Sequence, residues 1–352
     1  MTVHDLFRLS GSATPTKARA ILDEVCDHFV EHAEVRRDGD TAVLVNALGS
    51  ARLQLIDGRI DIELACQTQA ALDLSRNVLA EHMFYFAGSD ALGLVWRQPP
   101  APGTVANLHE VTVISAHAVT RNMRRVVFSC ADVTPFLTGD IHVRLLIPPL
   151  GREPVWPGYR DDGRLDWPEG EDALIPRAYT IRSVDAAEGT LAIDFLQHTA
   201  CDTPTPGADF ARDARPGQRA ALLGPGSGGI PHAPSILLIG DESALPAMAR
   251  IVEEAPEGTQ LTAIIEVEDA AEEAYLPGRP GLRVDWLHRG SDSSAASHSR
   301  LIETARPAIE NAGPDTFIFI ACEKQDVRSL RTILKRRGHD RSCVYAAWYW
   351  ER

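Results

Sequence analysis

The chain has no closely spaced cysteine pair. Its six cysteines, Cys26, Cys66, Cys130, Cys201, Cys322 and Cys343, are scattered, which argues against a zinc ribbon and a disulfide scaffold. It also lacks long apolar runs: stretches such as ILLI at 236–239 are far too short to cross a bilayer, so no membrane insertion is expected. The opening MTVHDLFRLSGSATP has no basic segment followed by an apolar core, so no secretory signal is expected. Positive charge is in deficit, with 35 Lys and Arg against 49 Asp and Glu and a net charge of −14. No global field draws such a chain onto a polyanion, so a nucleic-acid partner is not expected. An anionic ligand must then meet a local basic patch. The 12 histidines are read as building no metal site. What remains is a cytoplasmic, monomeric globular protein of 352 residues, long enough for two or three domains.

What is present falls into three blocks, 1–100, 101–232 and 233–352. In the first, Thr14 or Thr16 is placed to cap a helix with apolar residues at Ala20, Ile21, Val25, Phe29 and Val30. Alternating strands TAVLVNAL, ARLQLID and RIDIELAC follow, with Asp57–Gly58 as a hairpin turn, then a helix over 69–84 and a strand GLVWRQ. This is a small α+β domain, closed by the QPPAPG linker. The second block is strand-rich without helices between strands, the pattern of an antiparallel barrel, and carries a long turn-rich insertion at 148–170. The third alternates strand and helix, the pattern of a parallel sheet covered on both faces. The fold class is therefore multidomain, α+β then antiparallel β-barrel then α/β.

Two short stretches carry chemistry. In IPRAYTIRS, residues 175–183, period-two alternation puts Arg177, Tyr179 and Ile181 on one face of a strand and Thr180 and Arg182 on the other. Arginines flanking an aromatic ring and a hydroxyl suit a flat ring with a phosphate beside it. A solvated surface strand explains the pattern as well. In LLIGDESALPAMARI, residues 237–251, a strand runs into Gly240 and Asp241, and Glu242, Ser243 and Ala244 open a helix with Pro246 in its first turn. Pyrophosphates bind at such strand–helix corners, although this one is not a GxGxxG and an ordinary corner would read the same.

The motifs RAYTIR, LAIDFLQH, ARPGQRAALLGPGSGG, GDESALPAMARI, IFIACE with VRSLRTIL, and the terminal YW together resemble the siderophore-interacting proteins, FAD-dependent ferric-siderophore reductases. The resemblance runs from about residue 105 to the end, and the first hundred residues resemble an uncharacterised accessory domain sometimes fused to that family. It implies an FAD-binding barrel followed by a domain that receives NADH or NADPH. Tyr179 would lie against the isoalloxazine, Thr180 near its reactive nitrogen and Arg177 on the diphosphate, with Ala178 and Arg182 beside them. Phe195, Leu196 and His198 would run along the dinucleotide part, and Gly207 and Ala208 would form the diphosphate loop. That loop departs from the family pattern: Ala208 replaces a serine and Phe210 a tryptophan. Gly240, Asp241, Glu242, Ser243 and Ala244 would bind the nicotinamide dinucleotide and Glu323 would line the nicotinamide pocket, while Cys322 reads as a small buried residue.

Glu266, Glu268 and Asp269, after the second parallel strand, would accept ribose hydroxyls and favour NADH. The basic residues Lys324, Arg328, Arg331 and Lys335, with Trp350, would meet an anionic ferric siderophore, though a solvated helix face reads alike. The implied activity is ferric-siderophore reduction with release of Fe(II). The alternatives are a general flavin-dependent NADH oxidoreductase acting on quinones or flavins, and a non-catalytic siderophore binder.

Overall fold

The computed structural model describes residues 6–30, 33–100, 105–197, 204–290 and 300–351. The chain divides into two compact units, one of Met1–Leu108 with Pro149–Leu174, the other of His109–Pro148 with Ile175–Arg352.

The first unit opens on a strand the sequence pattern did not suggest, β1 (Phe7–Pro15), followed by α1 (Ala18–Phe29). Thr14 and Thr16 do not cap α1. Their hydroxyls instead donate to the carbonyls of Gly93 and Ala91, fastening the end of β1 beside the last strand of the sheet. Ile21, Val25 and Phe29 are buried as the spacing predicts, whereas Ala20 and Val30 are exposed. Next come β2 (Glu34–Asp38), β3 (Thr41–Asn46), β4 (Gly49–Ile56) and β5 (Arg59–Cys66). The Asp57–Gly58 turn joins β4 to β5 with φ of 50° and 77°, as a tight antiparallel hairpin requires. Helix α2 (Gln69–Ala87) is capped by Thr68, which accepts from the Ala71 amide at 3.1 Å, and β6 (Leu92–Trp96) completes a sheet of order β2-β3-β4-β5-β1-β6. One face of that sheet buries Leu53, Ile60, Ile62 and Leu64 against Leu22 and Val25 of α1 and Leu79 and Met83 of α2. The sequence does hold one HxxxH spacing, His28 and His32 in HFVEH, contrary to the expectation that no histidine pair is spaced for a metal. His32 lies outside the described residues, and among those described no metal-ligating cluster occurs.

The second unit begins with β7 (Leu108–Ala118), β8 (Met123–Cys130) and β9 (Asp140–Ile147). The turn-rich insertion then leaves for the first unit, where it forms a two-stranded hairpin, β10 (Gly158–Tyr159) and β11 (Leu165–Asp166). The chain returns as β12 (Ile175–Asp185), β13 (Thr190–Leu196), α3 (Pro206–Asp213) and β14 (Arg219–Gly229). Six strands close an antiparallel barrel, β12-β13-β8-β7-β14-β9, filled by Val126, Phe128, Phe136, Leu145, Ile193, Phe195 and Leu222.

The remainder is the α/β part of the same unit: β15 (Ser235–Asp241), α4 (Leu245–Glu254), β16 (Gln260–Val267), β17 (Leu282–His288), α5 (Arg300–Asn311), β18 (Thr316–Glu323), α6 (Lys324–Arg337) and β19 (Val344–Trp350). Its five strands are parallel in the order β17-β16-β15-β18-β19. The order reverses direction at β15, so the carboxyl ends of β15 and β18 flank the switch point where such sheets bind ligands. α4 packs on one face, and α5 and α6 on the other. No helix among the described residues is long and apolar enough to cross a membrane.

Candidate flavin and nicotinamide site

Strand β12 is paired unequally. From Ile175 to Thr180 it has β9 on one side, Ile175 opposite Ile147 and Thr180 opposite His142, whereas pairing with β13 starts only at Ile181. Ile175, Pro176, Arg177 and Ala178 are exposed there, an unusual run for a barrel strand. The Arg177 guanidinium bonds the carbonyl of Pro176 at 2.9 Å and has no carboxylate partner among the described residues. The alternation continues as the sequence predicts: Ile181 is buried in the barrel core, and Tyr179 packs partly buried on the same core.

The Tyr179 ring meets that of Phe195 at 4.3 Å and 49°. Its hydroxyl rests on Gly207, where a Cβ would overlap the phenol oxygen, so glycine is required for this approach. Burial pushes the phenol well up, partly opposed by the charge of Arg177, and Tyr179 stays neutral at physiological pH. Phe195 is fully buried beneath it, which leaves only the backbone there to meet a ligand. Leu196 is half-buried against the α/β core, and His198 lies outside the described residues. Gly207 and Ala208 form the buried first turn of α3, whose leading amides have no helical acceptor of their own. The Asp209 carboxylate already occupies the start of that helix, accepting from the Thr205 amide at 3.1 Å and pairing with Arg212 at 2.6 Å.

The opposite face of β12 turns to the α/β part. Arg182, expected beside the cofactor, makes two bonds to Glu253 of α4 at 2.6 and 2.7 Å and acts as a strut. Arg250, only 2% exposed, donates to the carbonyls of Ile181 and Phe136 at 2.8 and 3.1 Å. Asp194 of β13 accepts two bonds from Arg125 at 2.7 Å and one from the Tyr275 hydroxyl. These polar ties fasten the α/β part to the barrel. No local spacing signals them, because each joins residues far apart in the chain.

At the switch point the residues expected to bind the dinucleotide have partners or packing of their own. Asp241 accepts from the Ser243 amide and hydroxyl at 2.9 and 2.5 Å and from the Trp350 indole at 2.7 Å. Burial pushes its carboxyl up, and these donors hold it down. Gly240 is crowded by the Ala321 carbonyl and the Met248 methyl, so strand and helix packing accounts for it. Ala244 is fully buried. Glu242 pairs with Arg289, which also reaches Glu266 at 3.4 Å. Glu268 accepts from Asn122 at 2.8 Å, and Asp269 caps the next turn through the Ala271 amide at 2.8 Å. The three acids expected to select NADH are thus already engaged, and a guanidinium stands among them. Glu323 caps α6, accepting from the Gln325 amide at 2.7 Å. Cys322 is fully buried, and burial pushes its thiol up.

The terminal aromatics belong to β19. Tyr345 stacks on Phe319 at 4.8 Å and on His142 at 5.7 Å, while the Tyr349 hydroxyl donates to His142 Nε2 at 2.5 Å. His142 Nδ1 donates to the Ser227 carbonyl at 2.9 Å, which fixes the tautomer. Burial, with the charge of Arg250, lowers the imidazole to about 4. His142 was missed because a lone histidine in the apolar run IHVRLLIP carries no spacing signal. Trp348 is 53% exposed, with the Lys324 ammonium 5.1 Å from its ring centre. Lys324 also pairs with Glu351 at 2.7 Å, and Arg331 donates to the Ala346 carbonyl. Arg328 and Lys335 are exposed on the outer face of α6.

A six-stranded antiparallel barrel with an open strand edge is continued by a parallel sheet with a ligand-type switch point, an arrangement with room for a flavin on the first and a nicotinamide dinucleotide at the second. Residues 112–229 match the siderophore-interacting FAD-binding domain and 233–352 the siderophore-interacting protein model. Residues 11–97 match a domain described as an uncharacterized protein conserved in bacteria. The chain is 29% identical to an NADPH-dependent ferric-chelate reductase of Escherichia coli over 262 residues, covering 72% of this chain and 97% of that one. It is 28% identical to the ferric vibriobactin reductase of Vibrio cholerae over 239 residues, covering 66% and 86%. The crystal structure of a siderophore utilization protein from T. fusca aligns with a TM-score of 0.58 at 31% identity, covering 72% of this chain and 95% of that one. The chain belongs to the siderophore-interacting protein family. It is an FAD-dependent oxidoreductase that draws on NAD(P)H.

Proposed function

We propose that the protein reduces Fe(III) held in a siderophore, in the cytoplasm, and releases the iron as Fe(II). The observation that carries the reading is the open edge of β12, where an uncommitted guanidinium is followed by a neutral phenol beside a gap in barrel pairing. Bound there, FAD supplies the conversion of hydride to single electrons. Arg177 neutralises the diphosphate through charge-assisted bonds, helped by the first-turn amides of Gly207 and Ala208. Tyr179, seated on Phe195 and Gly207, gives the ring a fixed floor, and Thr180, whose hydroxyl is buried, addresses its reactive edge through the backbone. Arg328 and Lys335, exposed and without a carboxylate partner among the described residues, offer attraction to an anionic chelate. The five described cysteines are all free, as suits a reducing compartment.

The test is an anaerobic titration of the FAD-loaded protein with NADH and NADPH, then with a ferric siderophore. Bleaching of the flavin band and its recovery on adding the chelate are expected. Recovery with quinones but not with chelates would favour a general oxidoreductase, and a protein that never bleaches would sink the enzymatic reading. The Arg328→Ala, Lys335→Ala double variant should raise KM for an anionic chelate about 3- to 10-fold at low salt with kcat unchanged, because exposed charges act through a screened field.

A further inference from the structure

We propose that the N-terminal domain is a positioning element of the reductase, acting through the connection between β9 and β12, and that Asn77, Trp96 and Gly163 are the residues by which it holds that connection. The proposal rests on the reading of β12 as the flavin strand. The connection leaves β9 after Ile147 and re-enters the barrel at Ile175, just ahead of Arg177, yet Pro149–Leu174 folds as part of the first unit. There its hairpin is closed by Arg160 donating to the Arg164 carbonyl at 2.8 Å and Gly163 to the Arg160 carbonyl at 2.9 Å.

The tip of the hairpin is gripped by side chains of α2 and β6. Asn77 Nδ2 donates to the Gly163 carbonyl at 3.0 Å and Trp96 Nε1 to the Asp162 carbonyl at 2.8 Å. Glu81 accepts from the Leu165 amide at 2.9 Å, and the Arg164 guanidinium lies 3.5 Å from the centre of the Phe84 ring. Gly163 has φ +90°, and a Cβ there would stand 2.9 Å from Arg76 Cγ and 3.0 Å from Trp96 Nε1.

Asn77 and Trp96 are buried polar groups satisfied by this turn, in a domain whose other interior positions are mostly apolar. An unpaired buried amide or indole N–H is costly, so this face of α2 and β6 is built for the hairpin. The consequence lies downstream in the chain. A long connection pinned at its middle behaves as two short ones and loses less entropy on ordering its ends. The end that benefits is Ile175–Ala178, exposed and paired on one side only, where fraying is easiest and where a preorganised Arg177 matters to a ligand.

The test uses the full chain with three separate changes: Gly163→Val on the connection, and Asn77→Ala and Trp96→Phe on the domain. Limited proteolysis within 149–174, FAD affinity from quenching of flavin fluorescence, and thermal unfolding are measured on each. Cleavage about fivefold faster and FAD binding about 5- to 10-fold weaker are expected, the effect of losing preorganisation rather than contacts. Trp96→Phe keeps the ring in the core, so it decides the matter if Gly163→Val does not fold. FAD affinity within twofold of wild type in variants whose connection is cut faster overturns the proposal, as does unchanged cutting. A wild-type chain with no affinity for FAD would sink the flavin reading, and this proposal with it. Variants that bind FAD as well as a binding-competent wild type sink the positioning role alone.

Discussion

Strand β12 contains two regions of opposite character within one continuous element. Residues 175–178 have a neighbour on one side and are exposed, and the Arg177 guanidinium there bonds only the carbonyl of Pro176 among the described residues. Residues 181–185 are paired with β13, and from Ile181 and Arg182 the strand is tied to α4 by Arg250 and Glu253. The same alternating pattern serves binding where pairing stops and stability where pairing is complete. A residue's role on this strand is set by what lies beside it, not by its type: Arg177 and Arg182 differ only in that.

The contrast is broken most severely by Asp194→Ala. Its carboxylate is buried, and removal strands Arg125 and Tyr275. A loss of about 3 kcal/mol is expected, a fall in Tm of roughly 6–12 °C by calorimetry, with FAD affinity little changed. An equal loss of Tm in Arg177→Ala would erase the distinction between the two regions.

His142 sharpens it through pH. The imidazole is neutral when folded, at about 4, against about 6.5 when unfolded. Between those values the unfolded chain binds a proton that the folded chain does not. The histidine's contribution is therefore whole above pH about 6.5 and is lost as pH falls toward 4. The loss is on the order of 2–3 kcal/mol. The difference in Tm between wild type and His142→Gln, followed from pH 7.5 to 4.5, should shrink over that range. A constant difference would show that His142 titrates normally.

The smallest effect on folding and the clearest on binding belongs to Arg177→Ala. Losing a charge-assisted bond to the diphosphate costs about 1.5–3 kcal/mol, so FAD affinity should fall roughly 10- to 100-fold by fluorescence titration. Tm of the apo protein should move by less than about 1 °C, since the side chain is exposed. An unaltered FAD affinity would remove Arg177 from the site.

Much of the architecture was readable from periodicity. Two-residue alternation located β3, β4, β5 and β12, and the apolar runs SILLIG and TFIFIACE located β15 and β18. β1 and β2 escaped because FRLSGSATP and EVRRD carry too little apolar alternation to stand out. The site was readable on the β12 side and only partly on the sheet side. Gly240, Asp241, Glu242 and Glu323 do stand at strand ends, but each has a partner or a packing reason that spacing could not reveal. His142 and Asp194 were invisible for the same reason: Tyr349, Tyr275 and Arg125 lie far from them in the chain.

Taken alone, the sequence determined most of the strands and helices, that barrel precedes parallel sheet, and which strand carries the arginine, phenol and hydroxyl, because side-chain period is a local property. Tertiary structure alone decided that Arg182 is a strut while Arg177 is uncommitted, that the terminal tyrosine bonds a buried histidine, and that an insertion in the barrel belongs to the N-terminal unit. Those outcomes depend on long-range partners, and a hydrogen-bonding group's role is fixed only once folding supplies or withholds its partner.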